Sequence, residues 1–202
     1  EIAKAMHHKI DLLSNRNAYT GYGDEQGDTP LRKALSDFYK REYGVSLEAE
    51  EFFVSDGAKA DAANIQQIFS ADSIIAVQDP AYPVYVDSNV AGGRSEGYDE
   101  KSGQYKNLVY MPSNEENGFV AEPPKEHVDL IYLCFPNNPT GYSPSRKEAD
   151  EIVKALVEIA DTGKKLLVLT DDAYFGLFFE EETEKESLFA RLADAHENIF
   201  AI

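Results

Sequence analysis

The stretch VDLIYLCFPNNPTG, Val128 to Gly141, decides the fold. Its first eight residues, VDLIYLCF, form an apolar run that predicts a strand buried on both faces. Two asparagines enclosed by two prolines follow at once, then Thr-Gly. A connection back to the next element needs only one such punctuator, so the turn is over-specified for turning alone.

Outward from this stretch, strand-like and helical segments alternate. Ser145 is placed to cap an amphipathic helix over Lys147 to Ile159, and KLLVLT, up to Thr170, predicts a second buried strand. Upstream, SIIAV (Ser73 to Val77) and EFFVS (Glu51 to Ser55) read as strands, with a further short one around Leu108 to Met111. Asn198 to Ile202 reads as the last. Thr29-Pro30 opens a helix whose apolar face is Leu31, Leu35, Phe38 and Tyr39 and which Gly44 stops. The segment AKADAANIQQIF places Ala62, Ile65, Ile68 and Phe69 on one side of another. Val/Ile/Leu-rich strands separated by helices predict an α/β fold, a three-layer α/β/α arrangement with a mostly parallel central sheet.

Composition narrows the function classes. The chain has 202 residues, 43% of them hydrophobic, enough for one sizeable core. Its net charge of −18 argues against nucleic acid or an anionic membrane as the main partner. No apolar run approaches the length of a membrane span, and the first residues, EIAKAMHHKIDLL, do not have the pattern of a signal peptide. The expected location is the cytoplasm. One cysteine, Cys134, cannot form an internal disulfide or a thiolate metal site, and suits a small buried hydrophobe. Gly21-x-Gly23-x-x-x-Gly27 is one residue too long for a dinucleotide fingerprint, and adjacent His7 and His8 lack partners at ligand spacing. No metal site is expected.

In parallel sheets, ligands bind at the carboxyl ends of the strands. Four such ends carry unusual polar or aromatic residues: SDGAK (Ser55 to Lys59), DPAYPVY (Asp79 to Tyr85), FPNNPTG (Phe135 to Gly141) and TDDAYFG (Thr170 to Gly176). Together with Tyr22-Gly23-Asp24-Glu25-Gln26-Gly27 and Leu31-Arg32, these resemble, in order along the chain, the motifs of class I/II aminotransferases. These are enzymes of the aspartate aminotransferase fold, called fold type I, that use pyridoxal 5'-phosphate (PLP). GYGDEQGD, SDGAKAD and QDPAYPVYVD are most similar to the LL-diaminopimelate aminotransferase branch.

The resemblance implies a role for each matching residue. Asp171 resembles the carboxylate that holds a proton on the pyridine nitrogen of PLP; its neighbour Asp172 should point the other way if the strand continues. Asn138 and Tyr174 resemble the donors to the phenolic oxygen of the ring. On that reading the prolines of FPNNPTG stiffen the turn so that the Asn138 amide is presented at a fixed angle. Asn137 suits turn capping as well as ligand contact. Tyr82 resembles the aromatic that stacks on the ring, whereas Tyr85 suits packing beneath the sheet. Gly57, Ala58 and Lys59 resemble the loop that receives the phosphate. Tyr22 resembles the tyrosine that reaches the phosphate of a neighbouring subunit, which implies a homodimer.

The activity implied is transfer of an amino group between an amino acid and a 2-oxo acid, LL-diaminopimelate- or aspartate-like. Residues 1–20 would be an N-terminal helical segment leading into the large PLP-binding domain, residues 21–202, with the small C-terminal domain outside the chain. The Schiff-base lysine would follow the strand Asn198 to Ile202 and so also lie outside; Lys164 and Lys165 precede their strand, and Lys59 belongs to the phosphate loop. These residues alone are therefore expected to be inactive in transamination. A PLP-dependent C–S β-lyase on the same scaffold and a non-catalytic binding module are the alternative readings.

Overall fold

The computed structural model describes residues 1–19 and 21–202. Thr20, where the N-terminal helical segment was expected to end, lies outside the described residues. Two units are distinguished, Glu1–Ser55 and Asp56–Ile202.

The first unit carries helices α1 (Ile2–Leu13) and α2 (Thr29–Tyr43). Pro30 lies in the first turn of α2, and Gly44 ends the helix in the left-handed conformation, φ 72°, which costs a residue without Cβ nothing. The N-cap is Asp28, and the Thr29 hydroxyl accepts from Arg32 Nη2 at 3.2 Å rather than capping the helix. Arg32 is buried and also donates to the carbonyls of Gly27 and Ala49, both at 3.0 Å, and pairs with Asp24 at 2.7 Å. One guanidinium thus ties the glycine-bearing loop to the helix that follows it. The strand expected over Glu51 to Ser55 does not form. A 3₁₀ turn occupies Ala49–Glu51, and Val54 N–H bonds to the Gln26 carbonyl at 2.8 Å, an irregular loop partner. Phe53 and Val54 are both exposed, so the segment has no buried face to hold it in a sheet.

In the second unit, α3 (Ala58–Asn64) runs into a 3₁₀ turn, Ile65–Ile68, and is followed by β1 (Ile75–Asp79) and α4 (Pro83–Ala91). A two-stranded antiparallel hairpin, β2 (Tyr98–Asp99) and β3 (Gln104–Tyr105), precedes β4 (Leu108–Pro112). Then come β5 (Leu130–Cys134), α5 (Arg146–Ala160), β6 (Leu166–Asp171), α6 (Leu188–Leu192) and β7 (Ile199–Ala201). Five strands form one sheet in the order β4-β1-β5-β6-β7, and every pairing is parallel.

All five residues of β5 are buried, as its continuous apolar run requires. Successive side chains serve opposite faces. Ile131 and Leu133 join Ala76 and Val168 against Ile152, Leu156 and Ile159 of α5 and Leu188 and Leu192 of α6. Leu130, Tyr132 and Cys134 join Ile75, Val77 and Leu169 against Ala62 of α3 and Tyr85 of α4. Two helical layers therefore enclose the sheet, giving the expected three-layer α/β/α architecture. Among the described residues, no helix is long and apolar enough to cross a membrane, and no cluster of metal-ligating side chains occurs.

Candidate active site

The strand order locates a topological switch point. From β1 the chain passes to β4 on one side, then crosses back to β5 on the other, so the winding reverses between β1 and β5. Open parallel sheets bind ligands at such a reversal, outside the carboxyl ends. The hydrogen-bonding agrees: β1 follows β4 from Ile75↔Leu108 to Asp79↔Pro112 but pairs with β5 only at Ile75↔Leu130 and Ala76↔Ile131. Past that point the two strands no longer pair. The Gln78 side chain bridges the gap, accepting the Cys134 N–H at 2.7 Å in place of a backbone carbonyl.

Asp171 ends β6, one strand further on, in register with Cys134 of β5. It is 8% exposed, and both carboxylate oxygens are engaged. Oδ1 accepts the Ala173 N–H at 3.0 Å, and Oδ2 accepts the Tyr85 hydroxyl at 2.6 Å. Charge-assisted bonds of this kind contribute about 1.5–3 kcal/mol each. Tyr85 is 1% exposed and stacks on Tyr132, with centroids 4.7 Å apart and planes 17° from parallel. Burial, reinforced by the bond to Asp171, pushes the Tyr85 phenol far above its ordinary pKa, so it stays a donor. The buried Cys134 thiol, at the end of β5 beside Asp171, donates to the Pro136 carbonyl at 3.3 Å, and burial raises its pKa too.

Of the residues singled out by sequence, Asp171 and Tyr82 both contact Tyr85, and Asn138 lies in the turn after β5, the strand beside β6. Asn138 follows β5 and reaches the Cys134 thiol through its backbone N–H, while its side-chain amide makes no hydrogen bond among the described residues. Asn137 caps the turn: its Oδ1 accepts from the Thr140 N–H at 3.2 Å and hydroxyl at 2.9 Å, leaving a buried Nδ2 without a partner. Tyr82 precedes α4 and meets the Tyr85 ring edge-on at 5.8 Å. Tyr174 lies in the turn after β6, 43% exposed.

Gly57, before Ala58 and Lys59, has φ +144°, a conformation that favours glycine, and a Cβ there would meet nothing within 4 Å. Lys59 is exposed at the start of α3. Lys164 and Lys165 precede the first residue of β6, at the opposite end of the strand from Asp171. Tyr22 belongs to the first unit and is 97% exposed. Asp172 bonds to the Ser187 hydroxyl at 2.5 Å, away from the Tyr85 partner of Asp171, as strand alternation predicts.

Two residues of the site are not legible from sequence motifs, Gln78 and Tyr85. Tyr85 does pack beneath the sheet, but it also carries the hydrogen bond to Asp171. A tyrosine at a fully buried helical position is itself a signal, because its hydroxyl needs a partner.

Comparison with known proteins agrees with this geometry. The family model described as aminotransferase class I and II matches residues 1–201. The LL-diaminopimelate aminotransferase of Agathobacter rectalis is 43% identical over 188 residues, 93% of this chain and 45% of that protein. The enzyme of the same name from Desulfotalea psychrophila is 44% identical over 188 residues, 93% of this chain and 44% of its own. Among solved structures, the L,L-diaminopimelate aminotransferase from Chlamydomonas reinhardtii superposes with a TM-score of 0.79 at 32% identity, covering 99% of this chain and 47% of that one. The chain thus spans about half the length of these relatives. With its motifs in family order on a sheet that superposes on a solved relative, it belongs to the class I and II aminotransferases.

Proposed function

We propose that the protein containing this chain is a PLP-dependent aminotransferase, moving an amino group between an amino acid and a 2-oxo acid, with Asp56–Ile202 as its cofactor-holding unit. The observation that carries the reading is Asp171, a buried carboxylate oriented at a strand end one strand from the sheet reversal. The residues present fit PLP. An acid suits a protonated pyridine nitrogen, the Asn138 amide and the exposed Tyr174 phenol suit an anionic ring oxygen, and the exposed Lys59 beside the glycine turn suits a phosphate.

Bound there, PLP supplies an electron sink for the charge left when an amino acid loses its α-proton. Asp171 holds the proton at the ring nitrogen and supplies the counter-charge. Asn138 and Tyr174 donate to the phenolic oxygen, keeping it anionic. Tyr82 would stack on the ring, an interaction that adds about 0.5–1.5 kcal/mol beyond area burial. Gly57, Ala58 and Lys59 take the phosphate, Lys59 by charge. Tyr22 reaches the phosphate of a second subunit in a homodimer. LL-diaminopimelate is the donor favoured by the two relatives of that name at 43% and 44% identity. A cytoplasmic enzyme accords with the acidic charge and the single cysteine.

The test is PLP titration of the intact protein, followed by absorbance, and then transamination with a panel of amino donors. N138A should weaken PLP binding about tenfold, the loss of one hydrogen bond to a charged oxygen. Binding and turnover that are unchanged in both N138A and D171A would sink the assignment. LL-diaminopimelate should lead the donor panel in kcat/KM, and a donor of another class leading it would overturn the substrate reading alone.

A further inference from the structure

Asp171 is held from both sides, and the two holders differ in kind. The Ala173 N–H is local, two residues along the chain; the Tyr85 hydroxyl arrives from 86 residues away, on α4. Two donors on opposite oxygens fix the plane of the carboxylate, leaving one lone pair on each for another partner. The ring of Tyr85 is held in its turn. It stacks on Tyr132 and meets Tyr82 edge-on. Its own carbonyl accepts the Asn89 amide at 2.7 Å. Tyr132 is anchored by donating to the Ala62 carbonyl of α3 at 3.2 Å. A phenylalanine would fill this volume and stack equally well, so packing accounts for the ring but not for the hydroxyl.

We propose that Tyr85 is a positioning residue of the cofactor site, acting through Asp171: its hydroxyl sets the carboxylate plane that faces the ring nitrogen. The inference rests on the reading of Asp171 given above. Because the burial that raises the Tyr85 pKa also keeps its proton in place, the donor is present at every working pH. The stack on Tyr132 and the edge contact with Tyr82 keep the ring, and so the hydroxyl, in place, so the carboxylate is oriented before the cofactor arrives and little ordering is left to binding.

The experiment compares PLP with its 1-deaza analogue, in which a C–H replaces the ring nitrogen, by absorbance titration of the intact apoprotein. A residue acting through Asp171 on the nitrogen matters for PLP and not for the analogue, whereas a merely structural residue affects both alike. Y85F should raise the Kd of PLP about tenfold, the loss of one bond to a charged group, and that of the analogue less than threefold. Y132F, which keeps the stack and leaves the donor to Asp171 in place, should not change the ratio of the two constants. In the double variant Y85F/D171N, the loss for PLP should not exceed that of D171N alone. Equal losses for both ligands in Y85F, or additive losses in the double variant, would overturn the proposal. The same holds if Y85F leaves both constants unchanged. If D171N itself leaves the ratio unchanged, the assignment of Asp171 fails, and that result is distinct from failure of Tyr85 alone. Should Y85F fold poorly, the double-variant comparison is repeated with Tyr85→Leu, which offers no hydrogen-bond donor; additivity there overturns the proposal equally.

Discussion

At the scale of single residues, the adjacent acids Asp171 and Asp172 show how one bond of backbone separates two environments. Asp172 faces the α5 and α6 side, where its partner Ser187 also accepts the Phe189 N–H at the start of α6. Desolvation raises the Asp172 pKa and the Asp171 charge adds to it, while the Ser187 hydroxyl pulls the other way. With the folded pKa above the unfolded value, the group favours the fold at low pH, and that contribution is lost as pH rises through the folded pKa. At neutral pH the charged form is therefore a cost. D172N keeps an acceptor for Ser187 and removes the charge, so it should melt higher than wild type at pH 7, with the gap closing as pH falls toward about 4. Thermal denaturation across that range checks it, and a gap independent of pH would contradict it. That these neighbours face apart was legible from strand alternation. That Asp171 would be met by Tyr85 was not, because nothing local links positions 86 residues apart.

At the scale of elements, α5 shows what local chemistry can specify unaided. Ser145 and Glu148 form a reciprocal cap: the Ser145 hydroxyl accepts the Glu148 N–H at 3.3 Å, and the Glu148 carboxylate accepts the Ser145 N–H at 2.7 Å. Burial pushes the Glu148 pKa up, but the bonds from Ser145 outweigh it and the net shift is downward. This stabilisation is present at neutral pH and lost as pH falls through the folded value. E148A, which removes the titrating carboxylate of the cap, should cost about 1 kcal/mol at pH 7 and less below pH 4, as read by urea denaturation. An equal cost at both pH values would argue against the cap. Ser145 and this helix were both visible in the sequence, as were β5, β6 and β7. EFFVS misled because an aromatic, β-branched run signals a surface fit for pairing, and no sheet surface receives it. The helix α4 was hidden for the converse reason. Its residues, PVYVDSNVA, are poor helix formers, and they are held helical by Tyr85 and Asn89 packing one turn apart.

At the scale of the whole molecule, the net charge of −18 on 202 residues is a standing repulsion that folding must overcome. Salt screens exposed charges over about 10 Å at 0.1 M. The melting temperature should therefore rise between low salt and about 0.3 M sodium chloride; a flat or falling series would show that the acidic clusters are already compensated. The amino-acid sequence by itself determined the layer architecture and the candidate residues. Apolar periodicity states which faces must leave water, and the turn chemistry of DPAYP and FPNNPTG is written in consecutive residues. Only the tertiary structure decided the order β4-β1-β5-β6-β7, the reversal between β1 and β5, and the meeting of Tyr85 with Asp171. Burial patterns say that a face needs a partner, but which partner it finds depends on how all the faces pack at once.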